Sequence, residues 1–375
     1  MKKLLFRLLR RAILFRRRFT TRREPKKIQK ILVVRSDALG DLALSLEGIY
    51  SLQQHFPEAD IYVIANVSYH PLFNCIDSLA GLIDIVPSSA SWWNRVKHVF
   101  ALWRHHFDLS VDICHGDTLY YALLTFMARI PWRIGYDIGI HGFLYHTSMK
   151  LETIEIYEKD IPKKILKETL GVRSLNYVPL SLDIDLEKDF LQSLQRKYGV
   201  RPNDLVIGLN LDTSKLNPIR AWDIHKFGTL IQEIYKEYDC KILITGLPET
   251  LVLWDQIKDY VSRDVLSLIG KTNVEELMYL LKRCDVFVSN NTGSMHLSVV
   301  LETPTVVING PSSIVRWGPR DSKHRIVSKG LECSYYDCDG KTCETQYSCI
   351  RDITVDEVLE AFRSVMNIRK KVVEY

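Results

Sequence analysis

The sequence predicts an α/β protein built from two doubly wound domains in tandem. Three observations predict this class. Short β-branched strands alternate with amphipathic helices, the alternation restarts after a looser region near residues 172–202, and 375 residues exceed the usual size of one domain. Such alternation gives a parallel sheet covered by helices. Two such domains are expected to place the carboxyl ends of their strands around a shared central cleft, where ligands bind in these folds.

The first domain is predicted over residues 30–175. It opens with the strand KKIQKILVVR, the turn SDALGD and the helix LALSLEGIYSLQQHF, and the strand IYVIAN follows. Further strands are expected at 109–114 and 133–137, with helices around 92–105 and 118–128. This order predicts a Rossmann-like βαβ domain.

The second domain is predicted over residues 176–353, with a C-terminal helix and tail over 354–375. The predicted strands are DLVIGLNL, CKILITG, DVFVSN and TPTVVING. The predicted helices between and after them are DIHKFGTLIQEIYKEY, PETLVLWDQIKDYV, NVEELMYLLKRC and SMHLSVVL, and TVDEVLEAFRSVMNI closes the chain. The same βα alternation therefore occurs twice.

A basic amphipathic arm over residues 1–29 precedes the first domain. Residues 1–30 hold 13 Lys and Arg against the single acid Glu24, whereas the rest of the chain has more acids than bases. A helix over MKKLLFRLLRRAILFRRRF would place leucines and phenylalanines on one face and bases on the other, which suits an anionic membrane surface. It is too interrupted by charge to span a bilayer. A disordered basic tail and a nucleic-acid-binding arm are the alternatives, although the acidic body argues against nucleic acid.

The stretch SNNTGSMHLSVV (289–300) lies between a predicted strand and a predicted helix. At a helix start, free backbone N–H groups and the helix dipole favour an anion such as phosphate. Gly293 permits close backbone approach, and Thr292 is a plausible N-cap or phosphate donor. The alternative is structural: Asn290, Asn291 and Thr292 cap the helix, and His296 packs beneath it.

A second polar turn, SDALGDLALS, follows the first strand of the first domain. Gly40 and Asp41 are expected at a strand-to-helix turn on the edge of the cleft. Asp37 and Asp41 could cap the helix, or one carboxylate could point into the cleft as a general base. The chain has neither a GxGxxG nor a P-loop pattern here, which disfavours dinucleotide-binding and ATPase functions.

The eight cysteines fall into two groups. Four occur singly in apolar surroundings, which predicts core positions: Cys75, Cys114, Cys240 and Cys284. Four others cluster near the C-terminus: Cys333, Cys338, Cys343 and Cys349. Their spacing lacks the CxxC pairs of common zinc sites, so a metal is possible there but no metal ligands are assigned.

Together these segments resemble glycosyltransferase family 9, the ADP-heptose–lipopolysaccharide heptosyltransferases. ILVVRSDALGDLALSLEGIYSLQQHFPEADIYVIAN looks like the amino-terminal signature of that family, and LITGLPE, SLIGKTNVEELMYLLKRCDVFVSNNTGSMHLSVVLETPTVVINGP and RWGP look like the carboxyl-terminal one. The resemblance covers roughly residues 30–366. It implies a GT-B fold of two Rossmann-like domains, an inverting mechanism without a metal, and a nucleotide-sugar donor rather than a bound cofactor.

The resemblance also implies roles for individual residues. Asp41 matches the catalytic base, with Ser36, Asp37 and Gly40 on the acceptor side. Arg220 matches a residue that neutralises the donor diphosphate, with Lys215 as an alternative, and Glu249 sits where the family holds the donor ribose. The phosphate-binding turn and helix start are matched by Thr292, Gly293, Met295 and His296.

One position departs from the family pattern. The family commonly has Asp before the TG pair, where it contacts sugar hydroxyls, and this chain has Asn291. The amide removes one negative charge from the cleft but keeps the capacity to form hydrogen bonds. Donor sugar identity is therefore open.

The sequence favours an enzyme that transfers heptose, or a related sugar, to a lipid-linked saccharide acceptor. It would act on the cytoplasmic side of the bacterial inner membrane, held peripherally to the anionic surface through residues 1–23. The alternative is a catalytically weak GT-B nucleotide-binding scaffold of envelope assembly, which Asn291 favours. Nucleic acid is not an expected partner.

Overall fold

The structure is a computed structural model. It describes residues 27–36, 38–74, 76, 79–86, 89–114, 119–137, 142–150, 156–173, 182–213, 219–261, 265–330, 343 and 346–373. The chain divides into two compact units. Unit 1 comprises Met1–Asp37, Ser45–Thr153 and Lys159–Val178, and unit 2 comprises Ala38–Leu44, Ile154–Glu158 and Pro179–Tyr375. The first turn of the helix that follows the first strand therefore groups with unit 2.

The strands of unit 1 are β1 (Lys30–Val34), β2 (Asp60–Ala65), β3 (Leu79–Asp84), β4 (Leu109–Asp112), β5 (Trp132–Tyr136) and β6 (Thr147–Met149). Helices α1 (Leu39–His55), α2 (Trp92–His105), α3 (Leu119–Met127) and α4 (Asp160–Leu170) accompany them, with 3-10 turns at Val67–Phe73 and Gly142–Leu144. The strand pairings in the described part of this sheet are parallel, and β1 pairs with both β2 and β4.

The strands of unit 2 are β7 (Val206–Asn210), β8 (Lys241–Thr245), β9 (Leu266–Ser267), β10 (Val286–Asn290), β11 (Thr305–Ile308) and β12 (Arg325–Val327). The helices are α5 (Ile184–Tyr198), α6 (Ile224–Glu237), α7 (Leu251–Trp254), α8 (Val274–Arg283), α9 (Gly293–Val300), α10 (Ile314–Trp317), α11 (Ser348–Arg351) and α12 (Val355–Val373). A 3-10 turn at Pro248–Thr250 precedes α7.

Both sheets follow the same strand order. The first runs β3-β2-β1-β4-β5-β6, and the second runs β12-β11-β10-β7-β8-β9, which is the same order read from the other edge. Chain direction across the sheet reverses between β1 and β4 and between β7 and β10. In open parallel sheets, ligands bind beyond the carboxyl ends of the strands at this switch point. The topology thus marks the ends of β7 and β10 as a binding edge of unit 2.

The cores explain why these segments form strands. Every residue of β7 and β10 is buried, as expected for central parallel strands covered by helices on both faces. Helix α8 shows how local signals place the helices. Asn273 caps its start and exchanges backbone and side-chain hydrogen bonds with Glu276, a capping box.

The predicted α/β class with two Rossmann-like domains is confirmed by the two sheets. Two element predictions are wrong. The region near 172–202 contains the helix α5, begun by the Asp183 side chain, which accepts hydrogen bonds from two amides, and ended by Gly199 at φ 67°. The helix predicted over 248–261 is an α-helix only over Leu251–Trp254.

The described helices include none with the length and apolar character needed to cross a bilayer. The predicted amphipathic arm lies almost wholly in residues 1–26, which are outside the described residues. Its structure and its membrane role therefore stay predictions.

Candidate functional site

Asn290, the last residue of β10, organises the binding edge of unit 2. Its side-chain amide donates to the carbonyls of Leu211 and Asp212 at 3.2 and 3.1 Å, just beyond the end of β7. Its Oδ1 accepts from the Trp222 amide at 3.0 Å. Asn290 therefore holds the loop after β7 and the segment before α6 at one edge. This contradicts the structural alternative, in which the Asn290 side chain caps the following helix.

Arg220 lies in the segment that this anchor holds. Trp222, two residues later, is buried, and its indole N–H donates to the Ile353 carbonyl at 3.0 Å. The Arg220 Nε is buried and has no hydrogen-bond partner among the described residues. A buried guanidinium N–H without a partner costs free energy unless a ligand supplies an acceptor. The predicted alternative, Lys215, lies outside the described residues.

Helix α9 begins directly after β10 without a side-chain cap. Thr292 occupies the N-cap position with extended backbone, yet its side chain makes no capping hydrogen bond. Its hydroxyl lies 3.0 Å from the Ser294 hydroxyl and 3.3 Å from that of Ser289. Thr292 is therefore the N-cap residue by position, as one interpretation of the sequence predicts, but its side chain does not cap the helix. The first-turn amides lack intrahelical acceptors, as in any helix, and are left available to an anion.

Met295 and His296 follow in the first turn of α9. The Met295 side chain is fully buried, so only its backbone can face a ligand. His296 is also buried, and its ring centroid lies 5.5 Å from that of Trp317. Burial lowers the pKa of His296 to about 4, against a smaller opposing effect of Glu158. The imidazole is thus neutral at pH 7 and cannot offset phosphate charge, whereas the predicted packing of His296 is observed.

The first turn of α1 contacts the first turn of α9 within unit 2. A Cβ placed on Gly40 would lie 2.8 Å from the His296 Cδ2 and 3.0 Å from the Gly293 Cα. A Cβ on Gly293 would lie 3.3 Å from the Gly40 amide nitrogen. Asp41 is the next residue, the acid in the first turn of α1, and is half-buried. The structure therefore places Gly40, the residue before the predicted base, against the predicted phosphate turn, which is far away in the sequence.

The end of β8 contributes a third part of this edge. Glu249 lies in the 3-10 turn Pro248–Thr250 and is exposed. The neighbouring Thr250 hydroxyl donates to the buried Asp212 carboxylate. Burial raises the pKa of Asp212, while the hydrogen bond from Thr250 opposes that rise. Asp212 was not predicted from the sequence, because nothing local distinguishes it from a loop aspartate.

Asn291 pairs with another amide. Its Nδ2 donates to the Asn309 Oδ1 at 2.7 Å, and the Asn309 Nδ2 donates to the carbonyls of Gly310 and Ser312 at 3.2 and 2.8 Å. An amide at position 291 can donate to the Asn309 Oδ1, whereas an ionised carboxylate would set two acceptors against each other. The amide that distinguishes Asn291 from the expected Asp thus has an acceptor in the neighbouring Asn309 side chain. The Asn291 Oδ1 remains as an acceptor.

The residues predicted on the acceptor side fall in different units. Gly40 lies in the contact just described, whereas Ser36 belongs to unit 1, where its amide donates to the Cys114 Sγ at 3.1 Å. Asp37 is outside the described residues. Cys114 and Cys284 are buried as predicted, and Cys240 is half-buried against the core of unit 2.

A buried ion pair next to His296 was also missed. The Glu158 carboxylate is fully buried and accepts from the Arg316 Nε at 3.2 Å, and the Glu158 amide donates to the Arg316 carbonyl at 2.9 Å. Arg316 opens the RWGP motif, but Glu158 lies 158 residues away and carries no sequence signal.

The described residues contain no group of three or more His, Cys, Asp or Glu that could hold a metal ion. Of the clustered cysteines, only Cys343 and Cys349 are among them. The Tyr347 amide donates to the Cys343 Sγ at 3.0 Å. The metal hypothesis for this cluster falls largely on residues that the structure does not describe.

Known proteins resemble this chain over most of its length. It is 22% identical over 346 residues to lipooligosaccharide heptosyltransferase 2 of Campylobacter jejuni, covering 90% of this chain and 98% of that protein. The solved glycosyl transferase family 9 structure from Veillonella parvula superposes with a TM-score of 0.79 at 17% identity, over 91% of this chain and 98% of that one. The E. coli ADP-heptose lps heptosyltransferase II gives 0.75 at 19% identity, over 91% and 100%.

These structural matches establish a shared fold. The family model described as glycosyltransferase family 9 (heptosyltransferase) matches residues 95–347, more than half of the chain. That span includes the ends of β7, β8 and β10, from which the binding edge of unit 2 is built. The chain belongs to glycosyltransferase family 9, the heptosyltransferase family.

Proposed function

We propose that this protein transfers a heptose, or a related sugar, from a nucleotide-sugar donor to a lipopolysaccharide-core-type acceptor. The donor proposed is ADP-heptose, the sugar nucleotide named for the similar E. coli enzyme. One observation carries the proposal. Unit 2 contains the start of α9 without a side-chain cap, the Arg220 Nε with no partner among the described residues, and the turn that holds Asp41.

The reaction needs one base and one anion site. Asp41 takes the proton from an acceptor hydroxyl as that oxygen forms a bond to the anomeric carbon of the donor sugar. The bond between that carbon and the diphosphate oxygen breaks, and its electron pair leaves with ADP. A single displacement of this kind inverts the anomeric configuration. Inversion is thus part of the proposal.

Charge on the departing diphosphate is balanced by protein groups. Arg220 can bind phosphate oxygens with two N–H groups and stays charged throughout. The amides of Gly293 and its neighbours add donors and the positive end of the helix dipole. Lys215, five residues earlier in the sequence, is the alternative cation for this role. With these groups the proposed reaction needs no metal and no cofactor besides the donor.

The remaining predicted residues have positioning roles in this proposal. Glu249, exposed at the end of β8, accepts hydrogen bonds from the donor ribose. The Asn291 Oδ1 accepts from a sugar hydroxyl, while its Nδ2 stays bonded to Asn309. Ser36, Asp37 and Gly40 line the acceptor side. His296, neutral and buried, supports the turn between Gly40 and Gly293 rather than binding charge.

The proposed location is the cytoplasmic face of the bacterial inner membrane, where a lipid-linked acceptor would be reached from the interface. Residues 1–23 carry the predicted lipid contact, with each base near anionic lipid contributing about 1 kcal/mol.

The decisive experiment compares Asp41→Asn with Asp356→Asn in a coupled assay of ADP release from ADP-heptose and acceptor. Both acids lie in the first turn of a helix, so both substitutions remove a negative charge near a helix dipole. Only Asp41→Asn also removes the proposed base. We expect Asp41→Asn to lower kcat by about 100- to 10,000-fold with ADP affinity retained. Asp356→Asn should turn over like the parent. Normal turnover by Asp41→Asn would exclude this mechanism.

The same assay addresses the alternative of a nucleotide-binding scaffold. The similarity to heptosyltransferases does not favour it. ADP binding by calorimetry without transfer from several nucleotide-sugar donors would revive it.

A further inference from the structure

Helix α2 of unit 1 exposes four aromatic rings to solvent. Trp92, Trp93, Phe100 and Trp103 are 65%, 67%, 57% and 45% exposed. Tryptophan is among the more buried residue types on average, and contiguous apolar patches on a protein surface commonly mark an interaction site. Three of the seven tryptophans of the chain lie on this one helix. Nothing proposed for sugar transfer uses them.

The rings form one continuous face. At 100° per residue, Trp92, Trp103, Phe100 and Trp93 fall within an arc of roughly 100°. The ring centroids of Trp92 and Trp93 are 4.8 Å apart, and those of Phe100 and Trp103 are 6.5 Å apart. The opposite side of the helix is fixed to the core of unit 1, where Leu102 is buried. The aromatic face therefore points outward along about 16 Å of helix.

Positive charge borders this face. Lys97 and Arg104 are exposed beside Phe100 and Trp93 on the helix surface. The whole helix, WWNRVKHVFALWRH, contains no acid. Arg95, on the far side, stacks 4.9 Å from the Tyr120 ring centroid and is held to the fold. The helix itself therefore contributes no negative charge that would repel an anionic partner.

The indole N–H groups of the three tryptophans make no hydrogen bond within the described part of the chain. Indole rings, apolar over most of their area with one polar edge, concentrate at the interface between lipid headgroups and acyl chains. A convex helix suits a flat bilayer, whereas the buried centre of a protein–protein interface is depleted of lysine. Aromatic rings edged with bases on a convex helix favour lipid.

We propose that α2 is a lipid-binding surface of unit 1 that lies on an anionic bilayer. The four rings enter the interfacial region, and Lys97 and Arg104 contact lipid phosphates. This surface is separate from the predicted arm at residues 1–23 and is independent of the proposed sugar transfer.

The test is flotation of the full-length protein with vesicles of phosphatidylglycerol and phosphatidylethanolamine. The variant Phe100→Glu/Trp103→Glu is compared with Val67→Glu/Leu186→Glu, which adds the same charge at exposed apolar residues elsewhere, 59% and 45% exposed. We expect the α2 variant to lower vesicle binding at least 10-fold more than the control variant does. Equal binding by the two variants would overturn the proposal.

Two further measurements keep the test independent of any folding defect. Lys97→Gln/Arg104→Gln, at two exposed positions, should weaken binding to anionic vesicles about 5-fold per charge and leave binding to phosphatidylcholine vesicles unchanged. Brominated lipids should quench tryptophan fluorescence of the parent more than that of Phe100→Glu/Trp103→Glu. Absence of both effects would overturn the proposal, even if the arm at residues 1–23 binds vesicles.

Light scattering distinguishes lipid from a second copy of the chain. The parent and Phe100→Glu/Trp103→Glu should have the same mass in solution without lipid. A dimer that dissociates in the variant, with unchanged vesicle binding, would assign the aromatic face to self-association instead. ADP release with a soluble acceptor should be the same for both proteins, so failure here does not bear on the proposed reaction.

Discussion

The two sheets share one strand order but differ at the edge where their strands end. In unit 1 the buried Arg35 donates to the Ile113 carbonyl at 2.6 Å. Asp112 accepts from the Cys114 amide at 3.0 Å and from the Tyr145 hydroxyl at 2.5 Å. In unit 2 the corresponding edge has the Arg220 Nε, for which the described part of the chain offers no partner, and a helix start without a side-chain cap.

The shared topology gives each unit an edge where a ligand could bind. The hydrogen-bond donors that lack protein partners then indicate which of the two edges binds an anion. Buried polar groups are stable only when hydrogen-bonded. The groups named at the edge of unit 1 find protein partners, so they support the fold. Those of unit 2 leave donors available, so they are suited to a phosphate. Removing groups from each edge should therefore have different consequences.

The largest effect is expected for Arg220→Gln. Loss of charged hydrogen bonds to the diphosphate should weaken ADP binding about 100-fold or more, since each bond to a charged group contributes about 1.5–3 kcal/mol. Arg363→Gln is the matched control, because it also removes a guanidinium, one that pairs with Glu237 on the surface of unit 2. Calorimetric titration with ADP measures both. Equal affinities would contradict the role of Arg220.

Acidification should weaken unit 2 through His296. Its pKa is about 4 in the fold against an ordinary 6.5, so the unfolded chain binds a proton between these values that the folded chain does not. The stabilisation is complete above pH 6.5 and is lost as pH falls towards 4, amounting to about 3 kcal/mol. Urea unfolding at pH 7 and 4.5 should show this loss in the parent and in His55→Gln. A loss of the same size in His296→Gln would refute the assignment.

A smaller effect is expected for Tyr145→Phe in unit 1. The change leaves the Asp112 Oδ2 without the hydroxyl that donates to it, which should lower the free energy of unfolding by about 1–3 kcal/mol. ADP affinity should stay the same, because this edge is proposed to support the fold and not the donor. Chemical denaturation and ADP titration of one preparation test both statements. A weaker ADP affinity in this variant would show that the edge of unit 1 also takes part in binding the donor.

The smallest effect is expected at Asn291. Asn291→Asp places a carboxylate oxygen against the Asn309 Oδ1, whereas Asn291→Ala only removes the donor. We expect both variants to be less stable by about 1 kcal/mol or somewhat more, with Asp worse than Ala. Thermal unfolding ranks the two. The opposite ranking would show that Asn309 reorients and that position 291 tolerates either residue.

Much of the fold follows from local sequence signals. The run DVFVSN predicts β10 because it is apolar, β-branched and followed by polar turn residues. Helix α5 was missed because its sequence is rich in charge, although Asp183 and Gly199 were available as start and stop signals. The helix predicted over 248–261 is shorter than expected, with α-helix only over Leu251–Trp254. The apolar pattern that predicts it continues past Trp254, although the helix does not.

The site was less predictable than the fold. The start of α9 after a strand could be located from the sequence, but the lack of a side-chain cap there could not, because Thr292 is a residue type that commonly caps helices. The Glu158–Arg316 pair and the Asn291–Asn309 pair depend on tertiary contacts that no local pattern encodes. The neutral state of His296 likewise follows from burial by residues distant in the chain.

The bonds of Asn290 have a consequence for biosynthesis. Its partners lie 79, 78 and 68 residues earlier, so the edge cannot close until β10 has been translated and paired with β7. A ribosome-bound chain that stops before this strand would carry the Arg220 loop without its anchor. The proposed nucleotide site is therefore completed late in synthesis, after most of unit 2 has been translated.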